Sequence, residues 1–172
     1  MTTPAGSFSY NYDAAGRPSR MTNPFSETTS WSYQDNNWLA TQTLANGATA
    51  NYTYNALGQR TRLLNQIGTN TISDFSSIGY DGVGNRTSIT ASIPGATSLS
   101  GTTGYSYDSK DQITQETSTR NGGFTDNFAY DLAGNATTFK GVTKTYNSNN
   151  QQTATGFVYD GNGNLPPTTA QR

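Results

Sequence analysis

Polar and less polar residues alternate over short stretches of this chain, and clusters rich in Gly, Asn, Asp or Ser separate the stretches. Segments such as RTRLL from Arg60, RTSIT from Arg86 and ITQET from Ile113 alternate Thr or Ser with other residue types. A two-residue period of this kind is typical of antiparallel strands with one face half exposed. The pattern predicts short strands joined by turns.

A Tyr-Asp-x-x-Gly motif recurs along the chain, as in YDGVG from Tyr80 and YDLAG from Tyr130. Eight tyrosines begin such a core: Tyr12, Tyr33, Tyr54, Tyr80, Tyr107, Tyr130, Tyr146 and Tyr159. They are 21 to 27 residues apart over most of the chain and closer together toward the C-terminus. The repeated unit is therefore the motif, and the segments between motifs vary in length.

Each motif has turn-forming residues at two positions that follow the core tyrosine. The next residue is Asp or Asn in seven of eight copies: Asp13, Gln34, Asn55, Asp81, Asp108, Asp131, Asn147 and Asp160. Three residues later the chain has only Gly, Asn or Asp: Gly16, Asn37, Gly58, Gly84, Asp111, Gly134, Asn150 and Gly163. Asp and Asn accept backbone hydrogen bonds at the start of a type I turn, and the second set tolerates a left-handed backbone. Each motif predicts a β-hairpin turn, with a weaker one at Gln34.

The position two residues before each core tyrosine is mostly aromatic: Tyr10, Trp31, Tyr52, Ile78, Tyr105, Phe128, Lys144 and Phe157. Side chains two apart on a strand share a face, so each hairpin is expected to present an aromatic pair to one side. The chain is thus predicted to be all-β, with about eight hairpins in one domain over residues 1–172. Placed side by side, the hairpins form one long antiparallel sheet that curls and has two open edges.

The segments YDGVGNRTSIT, YDLAGNATTF, YDAAGRPSRM and YDGNGNL resemble the YD repeats of the RHS family, which includes bacterial polymorphic toxins, the C component of insecticidal Tc toxin complexes and the teneurins. The resemblance implies a segment of a spiralling β-sheet shell. It also implies an extracellular or cell-surface location and pairing with further YD repeats. Eight units are far fewer than a full shell of that family contains.

Composition narrows the functional classes. Only 31% of the residues are hydrophobic and the mean hydropathy is −0.71, so the core is expected to be thin or shared with another structure. A net charge of −1 argues against nucleic acid or an anionic membrane as a partner. The chain shows no signal peptide and no apolar run long enough for membrane insertion. The two prolines of NLPPTT, from Asn164, predict a fraying edge.

Little in the chain suggests catalysis. It has no His and no Cys, which excludes Ser-His-Asp and Cys-His arrangements and the commonest metal ligands. Most of its nine Asp residues occupy turns. The DGNGN segment at Asp160 begins like a calcium-binding loop, but the bidentate Glu that closes such a loop is missing. We expect no enzymatic activity, no cofactor and no metal.

Two functional hypotheses remain. In the first, the chain is a structural repeat module whose sheet edges pair with further repeats or with another copy. In the second, exposed aromatic residues stack on sugar rings and the chain is a carbohydrate-binding module. The residues expected to bind a glycan are Trp31, Trp38, Tyr52, Tyr54, Tyr105 and Tyr107.

Overall fold

The structure, a computed structural model, describes residues 2–3, 6–154 and 156–165. Its regular elements are strands, apart from two short 3-10 segments at Thr97–Leu99 and Arg120–Gly122. The strands are β1 (Thr2–Thr3), β2 (Gly6–Ser7), β3 (Ser9–Tyr12), β4 (Pro18–Thr22), β5 (Thr28–Tyr33), β6 (Leu39–Thr43), β7 (Ala48–Tyr54), β8 (Arg60–Ile67), β9 (Asn70–Tyr80), β10 (Arg86–Ser92), β11 (Gly101–Tyr107), β12 (Ile113–Ser118), β13 (Phe124–Tyr130), β14 (Ala136–Phe139) and β15 (Val142–Thr143). The predicted all-β class is confirmed.

Strands that follow one another in the chain are hydrogen-bonded neighbours in one sheet of 13 strands, from β3 to β15. The pairs β3–β4, β5–β6 and β7–β8 are antiparallel hairpins around motif turns. Strands β1 and β2 pair only with each other. Among the described strands, the two at the ends of this order, β3 and β15, do not pair with each other, so the sheet is not closed. The prediction of one antiparallel sheet of successive hairpins is confirmed, and its curling stays a prediction.

The chain divides into two compact units. The first consists of Met1–Gly104 and Ser118–Phe124, and the second consists of Tyr105–Thr117 and Thr125–Arg172. The single domain expected over residues 1–172 stays a prediction.

In the first unit, the register aligns side chains into rows across the strands. One row contains Trp31, Gln42, Ala50, Asn65 and Ser73, each directly opposite the next. Residues that lie opposite each other in an antiparallel pair point to the same face. This row therefore runs over five strands, β5 to β9, on the face that carries the tyrosines of β7.

A second row on this face contains Tyr52, Leu63, Phe75 and Ala91. The other face carries mostly polar side chains at these positions, with Leu64 opposite Asp74 as an apolar exception. There Arg62 makes a bidentate ion pair with Asp74, at 2.8 and 2.7 Å. Aromatic and apolar side chains thus collect on one face of the sheet.

The core is thin, as the composition predicts. Among the described residues only Ile78, Ala91, Thr103 and Ser118 are buried, and all four belong to the first unit. The hydroxyl groups of Thr103 and Ser118 lie 3.0 Å apart and satisfy each other. With so little buried apolar area, turns and strand-to-strand contacts carry much of the fold.

The second unit ends in shorter elements. Strands β13 and β14 pair through Phe128 and Phe139, whose rings meet edge to face at 5.5 Å. Beyond β15, the seventh motif forms only an isolated bridge between Tyr146 and Gln152, and no described residue around the eighth motif is in a strand. The closer spacing of these last motifs leaves too few residues for full hairpins. The prolines of NLPPTT lie outside the described residues.

Candidate functional site

The motif turns share one backbone geometry. We number each turn from the residue after the core tyrosine, as positions one to five. The N–H of position one donates to the carbonyl of position five, and the N–H of position four donates back to the carbonyl of position one. In the fourth turn these bonds join Asp81 to Asn85 at 3.0 Å and Gly84 to Asp81 at 3.2 Å.

Position four has a positive φ in all eight copies. The values are 76° at Gly16, 68° at Asn37, 78° at Gly58, 99° at Gly84, 61° at Asp111, 85° at Gly134, 59° at Asn150 and 82° at Gly163. This left-handed backbone is what Gly, Asn and Asp adopt most readily.

The side chain at position one fastens the turn. Oδ1 of Asp131 accepts the N–H groups of Ala133 and Asn135, each at 2.9 Å, and Oδ2 accepts the side-chain amide of Asn135 at 2.9 Å. Asn147 accepts the equivalent two N–H groups and donates its own amide to Gln151 at 2.8 Å. The partner side chain donates to Asp in the turns of Asp13, Asp81, Asp131 and Asp160, and it accepts from Asn in the turns of Asn55 and Asn147.

These bonds change the acidity of the turn carboxylates. The backbone N–H of Arg17 is the largest cause that lowers the pKa of Asp13, and its guanidinium adds to the effect. The side-chain amide of Asn135 is the largest cause that lowers the pKa of Asp131. Hydrogen bonds that favour the ionised form keep these groups charged at neutral pH, as turn formers.

Gln34 departs from this geometry only in its side chain. The backbone bonds are present, at 2.8 Å from its N–H to Trp38 and 3.0 Å from Asn37 to its carbonyl. No described backbone N–H donates to the Gln34 side chain, and Oδ1 of Asn36 instead accepts the N–H of Trp38 at 3.3 Å. The expected weakness of this turn thus has a structural basis in a missing pair of hydrogen bonds.

The side chain at position five, which the sequence analysis did not assign, covers position four of the next turn. The Arg17 guanidinium donates to Oδ1 of Asn37 at 2.7 Å. The amide of Asn135 donates to Oδ1 of Asn150 at 2.9 Å. These contacts connect consecutive turns within each unit.

Where position four is glycine, the covering side chain lies directly over the missing Cβ. A Cβ atom added to Gly58 would lie 2.7 Å from Cζ2 of Trp38. In three other copies an Nε2 atom from the preceding turn lies near the Cβ that would be added to the glycine. Gln59 is 3.4 Å from the added Cβ of Gly84, Gln112 is 3.8 Å from that of Gly134, and Gln151 is 3.1 Å from that of Gly163. We call this series of contacts the turn ladder. Position five is Arg, Trp, Gln or Asn in different copies, so its residue type alone gave no signal for this contact.

The core tyrosines connect the same hairpins through their hydroxyl groups. Tyr33 donates to the carbonyl of Pro18 at 2.9 Å, and Tyr80 donates to the carbonyl of Arg60 at 2.8 Å. In the second unit Tyr146 donates to Ala136 at 3.1 Å. Each acceptor directly follows position five of the preceding turn. Phenylalanine, which has no hydroxyl group, could not make these hydrogen bonds.

A further turn of the same geometry has no tyrosine before it and was not predicted. In the segment NPFSE, Oδ1 of Asn23 accepts the N–H groups of Phe25 and Glu27 at 2.9 and 3.0 Å. Ser26 occupies position four with φ 65°. Its Asn, at position one, was the available signal.

The six predicted glycan-binding residues are divided between the two compact units. The Trp38 ring lies 5.2 Å from the ring of Tyr54, and the Arg60 guanidinium lies 4.9 Å above the ring of Tyr52. Trp38 is also the cover of Gly58 in the turn ladder, so much of its ring is engaged. These residues and Trp31 belong to the first unit, whereas Tyr105 and Tyr107 are half-buried residues of the second.

A cavity of about 290 Å³ opens in the first unit, over strands β6 to β9. Its lining residues are Gln42, Leu44, Ala48, Thr49, Ala50, Asn65, Ile72 and Ser73. Gln42, the residue opposite Trp31, lies at one side, and the exposed side chains of Leu44 and Ile72 form apolar walls. The cavity thus combines amides, hydroxyls and apolar surface, and one of its lining residues, Gln42, is the register partner of Trp31. We call it the β5–β9 groove.

The described part of the chain contains no group of three or more acidic, His or Cys side chains that could hold a metal ion. It also contains no helix that is long and apolar enough to cross a membrane. At the DGNGN segment, Oδ1 of Asp160 accepts the N–H groups of Asn162 and Asn164 at 2.9 Å each.

Comparisons with known proteins agree with this architecture. Residues 12–49 match the family model of the RHS repeat. The fold matches the crystal structure of TcdB2-TccC3-TEV over 86% of this chain, with a TM-score of 0.66 and 16% identity. The similarity to the RHS repeat is thus shown over residues 12–49. The matched segment contains the first two motif turns and the Arg17–Asn37 contact of the turn ladder.

A second match, the crystal structure of TcdB2-TccC3-Cdc42, covers 88% of this chain with a TM-score of 0.59 and 17% identity. The chain spans 9% of the length of each of these two solved chains. At this level of identity the matches show a shared fold. No curated protein sequence matches the chain significantly.

Proposed function

We propose that this chain is a non-enzymatic structural repeat module, a segment of RHS-type β-sheet wall in a larger secreted or surface-associated protein. The turn ladder carries this proposal. Consecutive hairpins contact each other through position five and, at Tyr33, Tyr80 and Tyr146, through the core tyrosine, as expected of a repeat array in which neighbours stabilise one another. Its natural partners are further YD repeats, which would pair along the sheet edges.

The use of polar side chains supports a non-enzymatic role. The carboxylates of Asp13, Asp131 and Asp160 accept backbone hydrogen bonds within their own turns. A general acid or base needs a pKa near the working pH, whereas these groups have lowered pKa values. The motif acids therefore act as turn formers.

Removal of one repeat tests the module directly. Deletion of residues 34–54 joins Tyr33 to Asn55, so a core tyrosine still precedes an Asn turn and β5 pairs with β8. Arg17 then covers Gly58 in place of Asn37. We expect a β-sheet circular dichroism spectrum and a cooperative urea transition.

Deletion of residues 34–53 is the matched control. It leaves Tyr54 as one extra residue and reverses the faces of the side chains before the turn. This variant should unfold at a clearly lower urea concentration than the 34–54 deletion. Equal damage from both deletions would show that the repeat is not an interchangeable unit and would refute the module.

The second candidate function is carbohydrate binding, and the β5–β9 groove is the observation that favours it. Trp31 offers an aromatic face on which a sugar ring can stack. Gln42 and Asn65 supply amide donors and acceptors within the same register row. The groove, rather than the full set of six aromatic residues, is the part of the chain that such a ligand would fit.

Affinity electrophoresis against a panel of polysaccharides tests this candidate. If a glycan occupies the groove, it retards the protein, and Trp31→Ala or Gln42→Ala abolishes the retardation. Thr41→Ala, on the opposite face of β6, is the control and should leave retardation unchanged. The absence of retardation by every polysaccharide, or its persistence in Gln42→Ala, counts against glycan binding in the groove.

A further inference from the structure

The lining of the β5–β9 groove includes small side chains next to larger aliphatic ones. Ala48 and Ala50 lie two residues apart on β7, so they share a face of the strand, and both line the groove. The exposed side chains of Leu44 and Ile72 line it as well. None of the described residues that line the groove is charged. The groove therefore suits a small apolar group, and its lining offers no charge that would attract an anion.

Two amide side chains of the groove have hydrogen-bonding capacity left for a ligand. Nδ2 of Asn65 donates to Oγ of Ser73 at 2.9 Å, and no described residue donates to Oδ1 of Asn65. The side chain of Gln42 makes no hydrogen bond to a described residue, so it can both donate and accept. A secondary amide that bears a methyl group matches this lining. Its N–H can donate to Asn65, its carbonyl can accept from Gln42, and its methyl group can contact the aliphatic side chains.

A second cavity, of about 260 Å³, adjoins the groove, because Leu44 lines both. Most of its other lining residues are polar, and they include Glu27 and Thr29. Thr29 lies two residues from Trp31 and so shares its face of β5. Gln42, which lines the groove, is the register partner of Trp31. A ligand that spans the two cavities would therefore pass close to Trp31.

We propose that the two cavities bind a glycan that contains N-acetylated amino sugars. The acetamido group of one sugar occupies the β5–β9 groove, where its N–H donates to Asn65 and its carbonyl accepts from Gln42. The methyl group of the acetamide contacts Leu44 and Ile72. The neighbouring sugar places its hydroxyl groups in the second cavity, where the Glu27 carboxylate disfavours an acidic sugar. This inference rests on the carbohydrate-binding candidate and gives it a ligand class.

Isothermal titration calorimetry with two matched tetrasaccharides tests the proposal. Chitotetraose is a tetramer of N-acetylglucosamine, and cellotetraose is the glucose tetramer with the same linkage and no acetamido groups. We expect the whole chain to bind chitotetraose saturably and cellotetraose about ten-fold more weakly. The reason is that cellotetraose leaves Asn65 and Gln42 without their amide partner and leaves the apolar part of the groove unfilled.

Variants of the whole chain locate the acetamide. Asn65→Ala removes the acceptor and should weaken chitotetraose binding about five-fold, as the loss of one hydrogen bond predicts, without changing the affinity for cellotetraose. Ala50→Leu places a larger side chain in the groove and should abolish chitotetraose binding. Thr41→Ala, on the opposite face of β6, is the control and should bind chitotetraose like the wild type. Circular dichroism verifies that each variant keeps its β-sheet spectrum.

A hyaluronan tetrasaccharide, in which N-acetylglucosamine alternates with an acidic sugar, tests the second cavity. It should bind the wild type more weakly than chitotetraose does, because its carboxylate lies near that of Glu27. Glu27→Gln removes this repulsion and should reduce the difference. Equal binding of the two ligands by the wild type would refute the place assigned to the second sugar.

The outcomes separate this ligand class from the functions proposed above. Equal affinity for chitotetraose and cellotetraose, or chitotetraose binding that Asn65→Ala and Ala50→Leu leave unchanged, would overturn the acetamide site. Binding of neither tetrasaccharide would overturn it too, and the polysaccharide panel would then show whether a different glycan occupies the groove. The structural repeat module is tested by the 34–54 deletion and stands or falls independently of these titrations.

Discussion

Glycine at position four of a motif turn is favoured for two separable reasons, and two glycines of this chain isolate them. Gly16 and Gly58 have almost the same left-handed φ, 76° and 78°. Only Gly58 is covered by a side chain, the indole of Trp38. We therefore expect Gly16→Ala to cost about 1 kcal/mol for the backbone conformation alone.

Gly58→Ala should cost about 2–3 kcal/mol, because its methyl group also collides with Trp38. Urea unfolding of the two variants and the wild type measures the difference. If the two variants are equally stable, Trp38 moves aside at no cost and the turn ladder does not constrain position four.

Position one of the second turn offers a stabilising substitution. The side chain of Gln34 is too long to accept the two N–H groups that Asn55 accepts at 3.0 Å in the third turn. Gln34→Asn should restore these bonds and raise the free energy of unfolding by about 0.5–1 kcal/mol. The reverse change, Asn55→Gln, should lower it by a similar amount, and thermal unfolding measures both. A loss of stability in Gln34→Asn would contradict this account.

Residue chemistry of this local kind was readable from the sequence. Positions one and four act on the backbone of their own turn, so the residue types alone indicated the turn and its left-handed residue. Position five acts on the next turn, about 20 residues away, and its residue types vary from Arg17 to Trp38 to Gln59. Because that contact depends on the register between hairpins, no local pattern revealed it.

At the scale of the element, the core tyrosine connects one hairpin to the preceding one. The Tyr80 hydroxyl donates to the carbonyl of Arg60 at 2.8 Å, across the β8–β9 pair. Tyr80→Phe removes one hydrogen bond and should lower stability by about 1 kcal/mol.

Tyr54→Phe is the matched control, because Tyr54 contributes a ring contact with Trp38 and no hydroxyl hydrogen bond to a described residue. Its stability should stay close to that of the wild type in urea unfolding. Equal losses in both variants would mean that the hydroxyl bond at Tyr80 adds nothing.

The extent of the elements was less predictable than their type. A motif whose core tyrosine lies at least 21 residues after the preceding core tyrosine has a strand on each side of its turn. The last two motifs keep the turn bonds of Asn147 and Asp160 without full strands. A motif therefore predicts a turn, and the strands depend on whether a neighbouring segment is long enough to pair with it.

At the scale of the whole molecule, the turns compensate for a small core. Only Ile78 and Ala91 are buried apolar residues within the described part of the chain. Burial on that scale contributes little of the hydrophobic free energy that usually opposes chain entropy. Many small turn and inter-turn bonds must supply the difference, and several of them depend on ionised carboxylates.

This arrangement predicts a specific sensitivity to acid. The folded-state pKa is lowered at Asp13, Asp81, Asp131 and Asp160, and at Asp81 the hydrogen bonds outweigh an opposing effect of burial. A lowered pKa contributes stability that is fully present above the unfolded value of about 3.9 and is lost as the pH falls through the folded value. Stability should therefore hold from neutral pH to about pH 5 and decline below about pH 4.

The neutral turns of this chain supply the variant that tests the cause. In the double variant Asp131→Asn, Asn135→Gln, the sixth turn takes the arrangement of Asn147 and Gln151, in which an uncharged amide accepts the same N–H groups. Because this turn no longer titrates, the variant should lose less stability than the wild type between pH 7 and pH 3. Urea midpoints at the two pH values measure both losses. Equal losses would place the acid sensitivity outside the Asp131 turn and would contradict a stabilising role for its charge.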